Sequence, residues 1–218
     1  MGRFYQRHLP HGAPDDSPIF ITWNLKGALP QLALDRIHHL REQFNKTKIR
    51  PSEIAKRIFR ISEEFLDRAQ SGPLYLKDPE IALIVVDNLI AGAGKYYDFF
   101  AFVIMANHVH VLLRPYIELE KITGGIKKST ARRINSKLNR VGQSFWQDES
   151  FDHRPRCETS FRRFLKYIEE NPVNAGLCRR PEDWPWSSAS MRADWPVGQA
   201  YHPIKTPESG RRPDLPLE

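Results

Sequence analysis

Two histidines separated by one residue, His108 and His110, are the side chains here best placed by spacing to do chemistry together. They open the run His108-Val109-His110-Val111-Leu112-Leu113-Arg114, whose β-branched composition is that of a strand. On a strand, residues i and i+2 share a face and lie roughly 6.5 Å apart along the backbone. Both imidazoles therefore stand on one side, and Val109, Val111 and Leu113 form the other, where they can pack against helices. Two neutral ring nitrogens held rigidly at that spacing suit one shared cation. The pair also fits a hydrogen-bonded surface histidine beside a chance neighbour, so residues elsewhere in the chain must decide.

Tyr167 and Asn171 are the second pair. A helix is expected over Glu158–Glu170, with Phe161, Phe164, Leu165 and Ile168 as its buried stripe. The tyrosine and asparagine sit four apart on a line flanking that stripe, so both tips can reach one place at the edge of the core. Taken singly, Asn171 before Pro172 also reads as a helix stop, and Tyr167 as a boundary tyrosine bonded to water.

A third feature is charge. No acidic residue occurs from Lys121 to Gln147, a stretch that carries Lys121, Lys127, Lys128, Arg132, Arg133, Lys137 and Arg140. On a helix starting after Gly124-Gly125, Ala131, Ile134, Leu138 and Val141 form a narrow apolar stripe and the basic residues cover most of the rest. Solvated faces normally mix signs, so a single-sign face points to phosphates. The aromatic segment that follows, with Phe145, Trp146 and Phe151, reads as a further strand or an ordered loop, and Trp146 is a candidate for stacking on a base.

The remaining elements must hold these groups. Ile19-Phe20-Ile21-Thr22-Trp23 reads as a first strand ended by Gly27 and Pro30. Leu32, Leu34, Ile37 and Leu40 mark one helix, and Ile54, Ile58, Ile61 and Phe65 mark another behind Pro51; Arg41–Arg50 between them reads as a solvated turn or linker. Asp78-Pro79 opens a helix that stops at Gly92 and Gly94, and Tyr96–Ile104 reads as a strand pairing with His108–Arg114. Strand, helices, hairpin and helix in that order predict an α+β fold: an antiparallel sheet with helices packed mainly on one face.

Composition bounds the function. The chain has 218 residues, enough for a sizeable core, and 33 Lys plus Arg against 26 Asp plus Glu give +7, which favours a polyanionic partner. Cys157 and Cys178, the two cysteines, have no zinc-ligand spacing and suggest a reducing interior. The start lacks the apolar run of a secretion signal, so a cytoplasmic protein with no membrane association is expected. Residues 1–17 read as a flexible lead-in, 18–190 as the working domain with a helical insertion at 31–70, and 191–218 as a proline-rich extended or disordered tail.

Several motifs in order resemble one family. They are Met-Ala-Asn-His-Val-His-Val-Leu-Leu at 105–113, Phe-Trp-Gln at 145–147, Phe-Asp-His-Arg at 151–154, Tyr-Ile-Glu-Glu-Asn-Pro-Val-Asn-Ala-Gly-Leu at 167–177 and Pro-Glu-Asp-Trp-Pro-Trp-Ser-Ser at 181–188. This set resembles the REP-associated tyrosine transposases, which are HUH single-strand DNA endonucleases. Ala106 stands where those proteins more usually have proline. The resemblance implies a ferredoxin-like core, with His108, His110 and Asn171 holding Mg²⁺ or Mn²⁺ and Tyr167 as nucleophile. It further implies single-stranded or hairpin DNA as substrate. Beside it, Lys127, Lys128, Arg132, Arg133, Lys137, Arg140, Trp146 and Arg154 are the candidate DNA contacts. A monomer is expected, with a dimer as the alternative. Two other readings stand beside a nuclease and strand transferase: a domesticated binder of structured DNA that does not cut, and a hydrolase of small phosphoesters.

Overall fold

The computed structural model describes residues 17–45 and 51–191. The expectations for residues 1–16, for 46–50 and for the tail from 192 onward lie outside the described residues. The elements run β1 (Ile19–Asn24), α1 (Gln31–Asn45), α2 (Pro51–Arg68), α3 (Pro79–Gly92), β2 (Tyr97–Ile104), β3 (His108–Pro115), α4 (Leu119–Lys137), β4 (Phe151–His153) and α5 (Glu158–Asn174). The strands form one antiparallel sheet in the order β2-β3-β1-β4. That is the split βαβ arrangement of a ferredoxin-like core, so the expected α+β class holds. No helix among the described residues is long and apolar enough to cross a membrane.

Alternation along the two central strands creates two different faces. Ile19, Ile21 and Trp23 of β1 join Val109, Val111 and Leu113 of β3 in an apolar cluster closed by Ile81, Val85 and Leu89 of α3 and Ile122, Ile126 and Ile134 of α4. On the reverse side Phe20, Leu112, Ala101 and Val103 meet Phe161 and Ile168 of α5, with Phe59 of α2 packed against them. Helices thus cover both faces, where the sequence suggested mainly one. The stripes of α4 and α5 are each short of polar residues on one side only, and a four-stranded sheet has two apolar faces to bury.

Other boundaries moved for local reasons. The helix α4 begins at Leu119, ahead of Gly124 and Gly125, because Leu119, Ile122 and Ile126 supply a buried stripe through the glycines. Val141 is 81% exposed, beyond the helix, and so leaves the expected stripe. Residues 41–45, expected in a linker, continue α1, whose buried residues are Ala33 and Ile37, while Leu32 and Leu34 face outward. Asn171-Pro172 does not end α5, since only the proline's own donor is lost and helical bonds resume with the Ala175 amide donating to the Asn171 carbonyl at 2.9 Å.

The β2–β3 connection is fastened on both sides. Met105 N donates to His108 O at 2.9 Å, Leu25 N to Asn107 O at 2.8 Å, and Leu76 N to Ala106 O at 3.2 Å. With the backbone pinned there, the first residue of β3 has a fixed direction, and that residue is His108.

Candidate metal and nucleophile site

His108 and His110 project from β3 onto the α5 side of the sheet, opposite the closed apolar cluster. Both are fully buried, and their Nε2 atoms lie 3.1 Å apart. Each ring is oriented through its other nitrogen. His108 Nδ1 lies 2.7 Å from Asn107 Oδ1, and His110 Nδ1 lies 2.7 Å from the hydroxyl of Thr22, its register partner on β1. An Nδ1–H donated to the Asn107 oxygen leaves the His108 Nε2 lone pair bare, the tautomer a metal ligand needs. Burial, helped by the neighbouring His110, pushes the His108 pKa down to about 3, so the ring is neutral at ordinary pH.

Tyr167 and Asn171 arrive one helical turn apart from α5 in the same chain. The Tyr167 ring meets the His110 ring edge-on at 5.4 Å between centroids, and Asn171 Nδ2 lies 3.4 Å from His110 Nε2. Asn171 is 1% exposed, and its Oδ1 is buried without a hydrogen-bond partner. Rotating the amide by half a turn would present that oxygen to the same place. Phe20 stacks on His110 at 5.6 Å and meets Tyr167 edge-on at 5.9 Å, while Phe59 touches Tyr167 at 6.3 Å. These rings hold the phenol against the imidazole and keep water away from it.

Two carboxylates complete the site, and both come from α2. Glu63 Oε2 lies 3.1 Å from His110 Nε2 and accepts the hydrogen bond that the Tyr167 hydroxyl donates. Asp67 Oδ1, one turn further on, lies 3.6 Å from His108 Nε2. Burial opposes the charge on Glu63, but His110, by its charge and its hydrogen bond, outweighs it, aided by His108 and the Tyr167 hydroxyl, and the pKa falls below the usual carboxylate value. Burial and the charge of Glu63 push Asp67 the other way, up to about 6. The Tyr167 phenol is driven well above its ordinary pKa, first by burial and then by the Glu63 charge. A divalent ion would reverse that last influence, since it would be the largest local charge.

The donor set fits such an ion. Ligand atoms of Glu63, His108 and His110 all lie within 4.8 Å of one another. Glu63 Oε1, Asp67 Oδ1 and Asn171 Oδ1 are buried with no hydrogen-bond partner, which is unfavourable unless something positive meets them. Two imidazole nitrogens with hard oxygens suit a borderline ion such as Mn²⁺.

Glu63 and Asp67, like the orienting residues Asn107 and Thr22, were not among the expected site residues. On α2 they fall opposite the stripe of Ile54, Ile58, Ile61 and Phe65, a position that ordinarily means solvent. The available signal was Phe59, Glu63 and Asp67 repeating at four-residue intervals, an aromatic on an otherwise charged line.

The residues expected to touch DNA scatter. Lys128, Arg132 and Arg133 are exposed on α4, which covers the sheet face away from the histidines. Lys137 pairs with Glu80, and Arg140 lies 4.7 Å over the Tyr75 ring and donates to Gln143 Oε1 at 3.0 Å. Lys127 donates to the carbonyls of Gln147 and Asp148 at 2.9 and 3.1 Å and to the Ser150 hydroxyl at 2.8 Å, so it fastens the loop before β4. Arg154 donates to the Ser17 hydroxyl at 2.8 Å. Trp146 is 5% exposed, edge-on to Trp23 at 6.3 Å, with its Nε1 donating to Thr130 at 2.9 Å. Lys26 N to Phe145 O at 2.9 Å and Gln147 N to Asn24 O at 2.8 Å stitch this segment to the end of β1. The indole is thereby turned inward, and its faces are not open to a base.

The split-βαβ sheet thus carries a His-x-His strand that faces the helix bearing Tyr167 and Asn171. Residues 89–171 match the family described as Transposase IS200 like, a stretch that contains both histidines, Tyr167 and Asn171. The resemblance drawn from the motifs holds over that stretch, and α2, with Glu63 and Asp67, lies outside it. Among solved structures the chain is similar to a REP-associated tyrosine transposase bound to a REP hairpin, at 16% identity and a TM-score of 0.49, covering 99% of this chain and 100% of that one. No curated protein matches.

Proposed function

We propose that this protein is a metal-dependent single-strand DNA endonuclease and strand transferase that cuts REP-type hairpin DNA through Tyr167. The observation that carries the reading is the meeting, within one chain, of the Tyr167 phenol with a buried imidazole pair whose Nε2 atoms are 3.1 Å apart. His108, His110 and Asn171 would hold Mg²⁺ or Mn²⁺. A cation held there would supply Lewis-acid polarisation of a phosphate oxygen and would offset the charge that develops in the transition state.

The chain's own residues do the rest. Phe20 and Phe59 position the phenol, and Asn107 and Thr22 keep the imidazoles aimed. The Tyr167 oxygen attacks phosphorus, the bond from phosphorus to the 3′ oxygen breaks, the proton given up by the phenol is made good on the departing 3′ oxygen directly or through solvent, and the strand leaves with a free 3′-OH. The 5′ side stays on the enzyme as a phosphotyrosine ester, which conserves the bond energy so that a second 3′-OH can reverse the step and join a new strand. A site assembled from one chain supports a monomer.

The test is a labelled REP-like hairpin strand with Mn²⁺. Wild type is expected to nick it and carry the label, and Tyr167→Phe to bind without nicking. A wild type that binds every hairpin offered and cuts none overturns the reading. A non-cleaving binder is the second reading, favoured by one observation: both imidazoles are sealed from solvent.

A further inference from the structure

The motif reading places the cation on His108, His110 and Asn171, a set with no negative charge. Glu63 changes that. It comes from α2, outside the stretch that matches the transposase family. Its carboxylate is 9% exposed and turned toward the imidazoles, not toward solvent. One oxygen, Oε2, is engaged by the Tyr167 hydroxyl, and the other, Oε1, is buried without a hydrogen-bond partner. A carboxylate whose second oxygen is desolvated and unmet is costly to keep, and the nearest groups able to share a cation with it are the two imidazoles, whose ligand atoms lie within 4.8 Å of its own.

We propose that Glu63 is the anionic ligand of the site's cation and that the same carboxylate holds the Tyr167 hydroxyl beside it. The helical pair α1–α2 is then a working part of the site, and one side chain ties the nucleophile to the ion. This rests on the cation half of the functional reading, not on DNA cleavage. A simple ion pair between Glu63 and a protonated His110 would need no cation, and the experiment separates the two.

The full chain, without DNA, is titrated with Mn²⁺, following binding by calorimetry and by loss of the free-ion paramagnetic resonance signal. One site is expected in wild type. Glu63→Gln, which keeps the shape and an oxygen for the phenol, is expected to weaken Mn²⁺ binding by at least about tenfold, a loss typical of removing a ligand or its close support. Tyr167→Phe is expected to bind within about threefold of wild type, since it removes no ligand. The tyrosine absorption difference that Mn²⁺ produces in wild type should vanish in Tyr167→Phe and shrink in Glu63→Gln.

Should Glu63→Gln not fold, Asp67→Asn serves in its place. Its infrared difference spectrum on adding Mn²⁺ should still contain a carboxylate stretch, and a spectrum without one overturns the proposal. So does a folded Glu63→Gln with wild-type affinity, or a wild type that binds no Mn²⁺. Glu63-dependent binding in a protein that cuts no DNA would sink the nicking reading and leave this one standing. Cleavage in a Glu63→Gln variant of unchanged affinity would do the reverse.

Discussion

The two faces of the central sheet are built from the same strands and differ in what they bury. Along β3, odd-numbered Val109, Val111 and Leu113 enter an apolar cluster, while even-numbered His108 and His110 enter a pocket with Glu63, Asn171 and the Tyr167 phenol. Burying apolar surface stabilises a fold at about 25 cal/mol per Å². Burying imidazoles, a carboxylate and an amide does so only if every polar atom is met, and here several are not. One face therefore stabilises the molecule and the other gives up stability to keep reactive groups dry and aimed. A period-2 strand lets both happen a few ångströms apart.

Substitutions should sort by face. The largest effect is expected from Tyr167→Phe, which should lower covalent capture of hairpin DNA by at least about 10³-fold while the protein stays folded. Gel analysis of the adduct with circular dichroism checks both halves, and a melted variant would undo the division. On the other face, Phe102→Ala should cost about 3–5 kcal/mol of stability, the usual range for emptying a buried aromatic site. Below its lowered melting point it should bind Mn²⁺ as wild type does; a parallel loss of Mn²⁺ affinity in calorimetry would mean the faces are coupled.

A smaller and pH-dependent effect is expected at Asp67. Its carboxyl ionises near 3.8 when unfolded and near about 6 when folded. The neutral acid is therefore favoured by folding below the unfolded value, and that advantage is lost as pH rises through the folded one. Above about pH 6 the folded protein carries a disfavoured charge. Asp67→Asn should stabilise the ion-free protein by about 1–2 kcal/mol near neutral pH, after discounting for a side chain 32% exposed, and by almost nothing near pH 4. Thermal melts at the two pH values measure it, and an equal gain at both would contradict the assignment. The smallest effect is expected on α4. Changing Arg132 and Arg133 to glutamine should weaken hairpin binding modestly and lower its salt slope by about one per phosphate contact removed. An unchanged slope would mean that DNA keeps to the histidine face.

Much of this division was legible in the residues. The His-x-His alternation on β3 and the Tyr167/Asn171 spacing on α5 follow from periodicity, because side-chain direction on a regular element is set locally, and the antiparallel sheet follows from the order of the elements. What periodicity does not carry is the partner across a gap. Glu63 and Asp67 occupy the polar side of α2, and only the tertiary placement of that helix turns the side inward. Trp146 has the composition of a stacking residue, yet backbone bonds to β1 make it core. Lys127 belongs to a basic run, but carbonyls of the loop before β4 take its donors. Composition also cannot say which face of the sheet α4 will cover.

Peptide mapping by mass spectrometry after incubating the protein with Mn²⁺ and a REP-like hairpin is the most direct test that one face of this sheet is a phosphodiester-cutting site. A nucleotide adduct should appear on the peptide carrying Tyr167 and disappear when His108 and His110 are both replaced by alanine. An adduct on another residue, or none with the hairpin demonstrably bound, would contradict it.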